Sequence, residues 1–388
     1  MENIKLPIAV AIRVDDVGWF EGADDRHLSR PSRSGLPRRH HPNDILTLNE
    51  IGKGLGTKVL CNLVIGEWDF KNRLRGVPHV TWDERGWDAA SVVEKNRDFF
   101  DAAFDALESE HLEYGLHGLM HGYYIDGRLH DEKWLYPFTY KNEKGNYVRD
   151  VLPPEELDTT LSLFFEIYND WGFTKKIKVF EAGNGCFGKP EDDYNRKNAE
   201  VLRRHGISIW EWGGWPNDVT AQDGTAFINS ALGFLPWDAY DVDPAILPNV
   251  FESPRGHGIV PNICGHIPNF IRFQPEKNME FIPAWVDYFR RITSPFGAMM
   301  ASDNEQSASQ ALYATYAAID KVDGGYRIDL APVDATGVDI LEGEFFVALG
   351  ERKAPVVTGG TIAVHEVRPD HVIYKIKRDG SPVVTVTM

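Results

Sequence analysis

The stretch Pro7-Ile-Ala-Val-Ala-Ile-Arg-Val-Asp-Asp-Val-Gly18 decides the fold class, because it is a short apolar run that ends in two acidic residues and a glycine. Such a run indicates a buried strand followed by a loop. Similar apolar runs recur along the chain, and together they predict strands over residues 8–14, 58–64, 112–116, 177–180, 207–210, 259–263 and 296–300. Seven strands are enough to close a barrel.

Helical stretches follow these runs as far as about residue 320, which is the pattern of alternating β and α units around a mostly parallel sheet. Pro153 and Pro154, followed by two glutamates, predict the start of a helix that continues to residue 168. Ser302 and Glu305 fit a capping box ahead of an alanine-rich helix to residue 319. The segments 18–43 and 122–152 have little periodicity and are predicted to be lids or binding loops.

The character of the chain changes after Val322, where helical periodicity gives way to short runs between Gly, Asp and Pro turns. We therefore predict a (β/α) barrel over residues 1–322 and a small all-β module over residues 323–388. A module of about 65 residues is small enough that we expect it to pack on the barrel.

The chain has 58 acidic and 41 Lys or Arg residues, which gives a net charge of −17. This charge argues against nucleic acid and membrane surfaces as partners. The three cysteines, Cys61, Cys186 and Cys264, are too far apart for a disulfide framework or a C-x-x-C zinc site. With no leader-like start and no apolar run long enough to span a bilayer, we expect a cytoplasmic protein. Homo-oligomerisation is left open.

The first candidate site residues are Asp15 and Asp16, at the end of the first predicted strand. In α/β barrels the carboxyl ends of the strands face the active site, so these carboxylates are placed to bind a cation or to move protons. Consecutive side chains on an extended backbone point in different directions, which favours separate roles for the two. A solvated strand end or a helix cap is the alternative interpretation.

The third predicted strand continues into Tyr114-Gly-Leu-His117-Gly-Leu-Met-His121-Gly122. Histidines four residues apart lie on one face if the segment makes a helical turn, and both rings can then reach one divalent ion. His266 follows the predicted strand 259–263 in the same way. Carboxylates and histidines at several strand ends supply the ligands, base and proton donor of metal-assisted hydrolysis.

These motifs resemble those of the polysaccharide deacetylase (NodB-homology) family of carbohydrate esterases. Val14-Asp-Asp-Val-Gly18 is similar to the family's Thr-Phe-Asp-Asp-Gly motif, with one residue inserted before the glycine. His117-Gly-Leu-Met-His121 is similar to its His-x-x-x-His motif, and Cys264-Gly-His266 to its late histidine motif. The resemblance implies a distorted (β/α)7 barrel over about 320 residues.

The resemblance also implies the roles of the residues. Asp16, His117 and His121 would bind a divalent metal ion, commonly zinc, while Asp15 would be the general base and His266 the general acid. The family's third motif has an arginine and a proline where this chain has Val179-Phe-Glu-Ala-Gly-Asn-Gly185, so Glu181 or Asn184 is expected in the place of the arginine. The family's fourth, acidic and aromatic motif has only a loose counterpart in Trp210-Glu-Trp212.

Aromatic residues lie in or beside the segments expected on the active face, and flat rings with polar edges suit the apolar faces of sugars. The residues expected to contact substrate are Trp19, Tyr123, Glu181, Asn184 and Trp212. The alternative is that these aromatic residues only pack the long loops.

The leading hypothesis is a metal-dependent hydrolase that removes an acyl group, N-acetyl above all, from an amino sugar or a related carbohydrate. A second hypothesis keeps the barrel and makes the chain an amidohydrolase on a small amide or a glycoside hydrolase, with Glu181 paired to Asp15. A third is a carbohydrate-binding relic without turnover, which the missing arginine of the third motif favours.

Overall fold

The computed structural model describes most of the chain. The described residues are 4–22, 34–77, 80, 87–125, 128–131, 138–141, 147–150, 154–181, 193–212, 217–229, 231–233, 235–236, 238–253, 256–341, 343–350 and 354–388. Within 123–150, and at 193–195, 212 and 231–232, only the backbone is described.

The secondary structure alternates between strands and helices up to residue 316. The helices are α1 (Pro42–Leu55), α2 (Ala89–Lys95), α3 (Arg97–Leu107), α4 (Pro154–Trp171), α5 (Asp193–Arg204), α6 (Ile282–Thr293), α7 (Asn304–Tyr316) and α8 (Ala331–Asp334). The strands before residue 316 are β1 (Ile4–Lys5), β2 (Ile8–Val17), β3 (Val59–Val64), β4 (Leu112–Gly118), β5 (Gly122–Ile125), β6 (Arg128–Asp131), β7 (Phe138–Lys141), β8 (Tyr147–Asp150), β9 (Ile177–Glu181), β10 (Ile209–Trp212), β11 (Asp218–Gln222), β12 (Thr225–Asn229), β13 (Ala231–Gly233), β14 (Asn262–His266) and β15 (Ala298–Met300). The later strands are β16 (Ala318–Val322), β17 (Gly325–Asp329), β18 (Glu344–Leu349), β19 (Val356–Thr358), β20 (Gly360–Val367), β21 (Val372–Arg378) and β22 (Val383–Thr387).

The central sheet carries the parallel strands in the order β12, β10, β9, β4, β3, β2, β14, β13. Parallel neighbours need long crossover connections, which the helices supply: α1 links β2 to β3, α4 lies between β4 and β9, and α5 links β9 to β10. β11 joins the edge as an antiparallel neighbour of β12, and β15 pairs with the first residues of β2. The predicted mixed α/β fold with a parallel sheet is confirmed.

The two ends of this sheet lie close together. β12 and β13 stand at opposite ends of the strand order, yet only residue 230 separates Asn229 from Ala231 in the chain. Because consecutive Cα atoms are about 3.8 Å apart, these two strand ends are within about 8 Å of each other. The sheet is therefore curled into a barrel-like shape, with its strand ends gathered at one mouth.

The space between the central sheet and the helices that cover it forms one large apolar core, and the residues on the other face of the strands belong to separate, smaller clusters. The large core includes residues from every layer, for example Ile12 on β2, Phe100 on α3, Phe164 on α4 and Trp285 on α6, all buried. α7 lies against β2, β11 and β12, and Ser307 of α7 donates its hydroxyl to the carbonyls of Ala9 and Pro261.

The predicted all-β character of the C-terminal part is confirmed, apart from the single helical turn α8. It forms two antiparallel sheets, β1-β18-β21-β20 and β16-β17-β22-β19, with a separate apolar core. The N-terminal strand β1 contributes an edge to the first of these sheets. The β16–β17 hairpin turns at Asp323 and Gly324, so the hairpin spans the predicted boundary at residue 323, and the boundary itself stays a prediction.

Three element predictions need correction. α7 begins after Asp303, which accepts a hydrogen bond from the Gln306 amide, rather than after Ser302, and it ends at Tyr316 because Ala317 is extended. The strand expected at 259–263 is formed by Asn262–His266. The segment 122–152 contains two hairpins, β5–β6 and β7–β8, in place of a loop without regular structure.

Candidate functional site

Asp15 and Asp16 are both buried at the end of β2, with 3% and 4% of their surfaces exposed. A regular strand would send neighbouring side chains to opposite faces. Here the pairing of β2 with β3 shifts between Val14 and Val17, and Asp16 has a φ of 61°, in the left-handed region. Such a bulge redirects a side chain, and it explains how two consecutive carboxylates reach one site.

His117 and His121 meet at Asp16, as the sequence predicted. The distances from their Nε2 atoms to Asp16 Oδ1 are 3.4 and 3.7 Å, and their ring centroids are 5.0 Å apart. The predicted helical turn between them is wrong, since β4 extends through Gly118 and a bend follows. His121 has a φ of 57°, and this left-handed residue turns its ring back toward His117.

The arrangement fits a metal ion. One ligand atom each from Asp16, His117 and His121 lies within 4.8 Å of the others. Asp16 Oδ1 and His117 Nε2 are buried, and neither hydrogen-bonds to another described group, although buried polar atoms are normally paired. Two imidazole nitrogens and one carboxylate oxygen are the donor set of a zinc site that keeps a coordination position open.

Charges around Asp16 and His117 favour their ionised forms. Burial alone would raise the pKa of Asp16, but His121 and His117 lower it below its usual value. Burial would likewise lower the pKa of His117, whereas Glu181 and Asp16 raise it well above its usual value. With both groups ionised, the His117 imidazolium balances the Asp16 carboxylate, and a divalent ion bound here would take the place of the His117 proton.

Asp15 accepts three hydrogen bonds, from one residue each on β2, β3 and β14. Arg13 Nη2 lies 2.9 Å from Oδ2, Asn62 Nδ2 lies 2.7 Å from Oδ1, and Cys264 Sγ lies 3.1 Å from Oδ2. Burial opposes ionisation of Asp15, but Arg13 and the neighbouring histidines hold its pKa well below the usual range.

Arg13 is the site residue that the sequence reasoning missed. It is 2% exposed and lies in the middle of an apolar strand, two residues before Asp15. Alternation along β2 places side chains at positions 13 and 15 on the same face, so a buried cation beside the Asp pair was the available signal. Arg13 places a guanidinium beside Asp15, and the segment 179–185 contains no arginine.

Glu181 ends β9 and is 3% exposed. Its Oε1 lies 3.2 Å from Arg13 Nη2, and its Oε2 lies 2.5 Å from His117 Nδ1. Both carboxylate oxygens therefore face protein groups. The predicted contact between Glu181 and substrate stays a prediction.

His266 is the last residue of β14 and stands opposite Asp15 in the sheet register. Its Nε2 lies 3.8 Å from Asp16 Oδ2, whereas His117 and His121 face the other carboxylate oxygen, Oδ1. In the described part of the chain, His266 does not join the three-residue donor group. Its side chain is 29% exposed, which leaves it accessible from outside.

The other predicted substrate contacts are less well placed or lie beyond the description. Trp19 is 2% exposed and packs in the main apolar core, so its ring offers almost no surface to a ligand. Tyr123 on β5 and Trp212 at the end of β10 are described by their backbone alone. Asn184 lies outside the described residues.

Comparisons with known proteins give distant similarity only. No family model and no curated protein matches the chain. Among solved structures, a Parabacteroides distasonis protein provisionally assigned as a glycoside hydrolase/deacetylase has a TM-score of 0.44 and 9% identity, over 89% of this chain and 79% of that chain. Thermotoga maritima α-fucosidase in complex with fucose has a TM-score of 0.31 and 11% identity, over 89% and 78%. Similarity at this level assigns neither an activity nor a substrate.

No helix in the ranges described above is long and apolar enough to cross a membrane.

Proposed function

We propose that this chain is a metal-dependent hydrolase that removes an acyl group, N-acetyl above all, from an amino sugar or a related carbohydrate. The observation that carries the proposal is the pair of buried atoms Asp16 Oδ1 and His117 Nε2, which lie 3.4 Å apart beside His121 and hydrogen-bond to no described group. The ionised Asp15 lies next to this pair in the sequence and in the site.

The architecture supports a distorted (β/α)7 barrel. If β12 and β13 are counted as one strand interrupted at residue 230, the parallel sheet has seven strands. The first and last strands of the sheet order are then the same strand. The proposed metal ligands and the proposed acid and base then all lie at the carboxyl ends of strands, where barrel enzymes place their active sites.

A divalent ion such as zinc, bound by Asp16, His117 and His121, would supply polarisation of the acyl oxygen and a lower pKa for water at the site. Zinc suits nitrogen and carboxylate ligands of this number.

Asp15 is the proposed general base. It accepts a proton from the attacking water while the water oxygen forms a bond to the acyl carbon. Arg13 and Asn62 fix the orientation of the carboxylate through hydrogen bonds of 2.9 and 2.7 Å. The two oxygens of a carboxylate offer about four lone-pair positions, and the three hydrogen bonds to Asp15 use three of them. One position therefore remains to accept a proton.

His266 is the proposed general acid. It faces Asp16 from β14, opposite the side occupied by His117, so it can reach a leaving group across the site. Its proton passes to the nitrogen as the carbon–nitrogen bond breaks, and the products are a carboxylate such as acetate and a free amine.

The glycoside hydrolase hypothesis is less well supported. Asp15 and Glu181 have oxygen atoms within 4.8 Å of each other, but both carboxylates contact Nη2 of Arg13, at 2.9 and 3.2 Å. A glycosidase pair must leave room for the anomeric carbon between its two carboxyl groups. A buried guanidinium beside both carboxylates argues against that use.

The test is acetate release from N-acetylated chito-oligosaccharides by the zinc-loaded protein, with Asp15→Asn as the control. Aryl glycosides and small cyclic amides are assayed in parallel. Acetate release that depends on Asp15 supports the proposal. Cleavage of aryl glycosides without acetate release contradicts it, and oligosaccharide binding without turnover of any substrate favours the non-catalytic alternative.

A further inference from the structure

Glu181 contacts the histidine nitrogen that faces away from the proposed ion. His117 Nδ1 lies 2.5 Å from Glu181 Oε2 and 2.9 Å from the Glu181 backbone oxygen. Both side chains are 3% exposed, so water does not compete strongly for these contacts. The backbone oxygen accepts the hydrogen bond from Nδ1, and the carboxylate oxygen lies beside the same nitrogen as its charged partner, outside hydrogen-bond geometry.

This geometry fixes where the proton of a neutral His117 resides. A neutral imidazole has one donor nitrogen and one acceptor nitrogen. Both groups that contact Nδ1 are oxygen atoms of Glu181, so Nδ1 carries the proton of the neutral ring. The lone pair of Nε2 then points toward Asp16 Oδ1, 3.4 Å away. A carboxylate on the non-ligating nitrogen also makes the ligating nitrogen more basic.

Glu181 is itself fixed by Arg13. The Nη2 atom of Arg13 lies 3.2 Å from Glu181 Oε1 and 2.9 Å from Asp15 Oδ2. One arginine therefore positions the carboxylate behind His117 and the proposed base at the same time. Both oxygens of Glu181 are used in protein contacts.

We propose that Glu181 is a positioning residue that fixes the ring orientation and the Nδ1 proton of His117, and thereby raises the affinity of the site for a divalent ion. This inference rests on the proposed function for the metal, and it gives Glu181 a different task from the substrate contact that the sequence indicated.

Glu211 is a matched control for Glu181. It is fully buried on the adjacent strand β10, and its Oε2 lies 3.8 Å from Arg13 Nη1. Its other carboxylate oxygen accepts a hydrogen bond of 2.7 Å from Asn304. The Glu211→Gln variant therefore alters a buried carboxyl group beside the same arginine, but one that lies against Asn304 and not against His117.

The experiment measures zinc affinity of the full chain by competition with a chromophoric chelator, for wild type, Glu181→Gln and Glu211→Gln. We expect about 10- to 100-fold weaker zinc binding for Glu181→Gln, the range found for groups that support a metal ligand. Glu211→Gln should bind zinc as wild type does. Circular dichroism and thermal unfolding confirm that each variant is folded, and Glu181→Asp replaces Glu181→Gln if the latter does not fold.

Wild-type zinc affinity in the Glu181 variant, or an equal loss in both variants, overturns the inference. A wild type that binds no zinc contradicts the proposed function, and the inference is then decided by proton NMR of the metal-free protein at a pH where His117 is neutral. The Nδ1 proton should be strongly downfield in wild type and Glu211→Gln and shift upfield in Glu181→Gln. An unchanged shift, or a wild-type proton on Nε2, overturns it.

Discussion

Nη2 of Arg13 lies 2.9 Å from Oδ2 of Asp15, two residues further along the same strand. Both side chains point into the curled sheet because alternate residues of a strand share a face. The same guanidinium lies beside Glu181 and Glu211, at 3.2 and 3.8 Å. One buried cation thus lies beside three buried carboxyl groups, and of these Glu181 also contacts His117.

Removal of this arginine should cost more stability than any surface substitution. We expect Arg13→Met to lower the free energy of unfolding by about 3–5 kcal/mol, the range for breaking a buried ion pair from one side. Urea unfolding measures the effect. Arg97→Met, which removes an exposed pair with Asp101, is the control and should change stability by less than about 1 kcal/mol. Equal effects for the two variants would contradict the role of Arg13.

The proposed base can be separated from the proposed metal ligands. Asp15→Asn keeps the size of the side chain and its acceptor oxygen for Asn62, so the fold and the bound zinc should be retained. We expect acetate release to fall about 100- to 10,000-fold, the usual contribution of a general base. Steady-state assays and zinc content by mass spectrometry are read on the same preparation. Full turnover in Asp15→Asn would refute the assignment.

Another buried carboxylate, Asp44 on α1, holds the residues that precede this helix. Arg38 binds it through two nitrogens, each 2.8 Å from an oxygen, and Asn278 donates a hydrogen bond of 3.0 Å. His40 Nδ1 lies 3.4 Å away, while its Nε2 is 2.6 Å from Ser34 Oγ. Ser34 is fully buried and donates its hydroxyl to the carbonyl of Gly22, so this Ser-His-Asp sequence of contacts is structural.

Asp44 predicts a specific acid dependence of stability. Burial would raise the pKa of Asp44, but hydrogen bonds from His40 and Arg38 hold it well below its usual value. Its contribution is therefore fully present above the unfolded pKa of about 3.9 and is lost as the pH falls through the lower folded pKa. Wild type should lose stability as the pH falls below about 4, and Asp44→Asn should be less stable at pH 7 with a flatter acid limb.

Urea unfolding between pH 3 and pH 7 checks this expectation. Asp101→Asn, at an exposed pair, serves as the control and should follow the wild-type curve. An Asp44→Asn curve parallel to that of wild type across the acid range would show that Asp44 does not carry the predicted linkage.

Much of the barrel could be predicted because apolar runs bounded by polar loops mark buried strands, as at Ile8–Val17 and Val59–Val64. β12 was missed although Asp223 and Gly224, both with positive φ, form the tight turn between β11 and β12. An Asp-Gly pair between short runs is a strong hairpin signal. The curling of the sheet was expected, but the approach of β12 to β13 from its two ends depends on long-range pairing that no local pattern encodes.

The convergence of the proposed metal ligands could be predicted from their positions after strands, whereas the details of the site could not. Asp16 and His121 have positive φ, which few non-glycine residues adopt, although Asp and His do so more often than most, so the sequence favoured regular geometry there. Strain of this kind persists where surrounding contacts over-determine it, and it clusters at functional sites. Contacts between strands, such as that of Glu181 with His117, appear only once the sheet order is known.

The most direct test is an anomalous difference map from crystals grown with zinc, recorded on both sides of the zinc absorption edge. We expect one strong peak about 2.0–2.2 Å from Asp16 Oδ1, His117 Nε2 and His121 Nε2. Crystals of His117→Ala, grown in the same way, should lose that peak. A wild-type map without a peak between these three side chains would contradict the account.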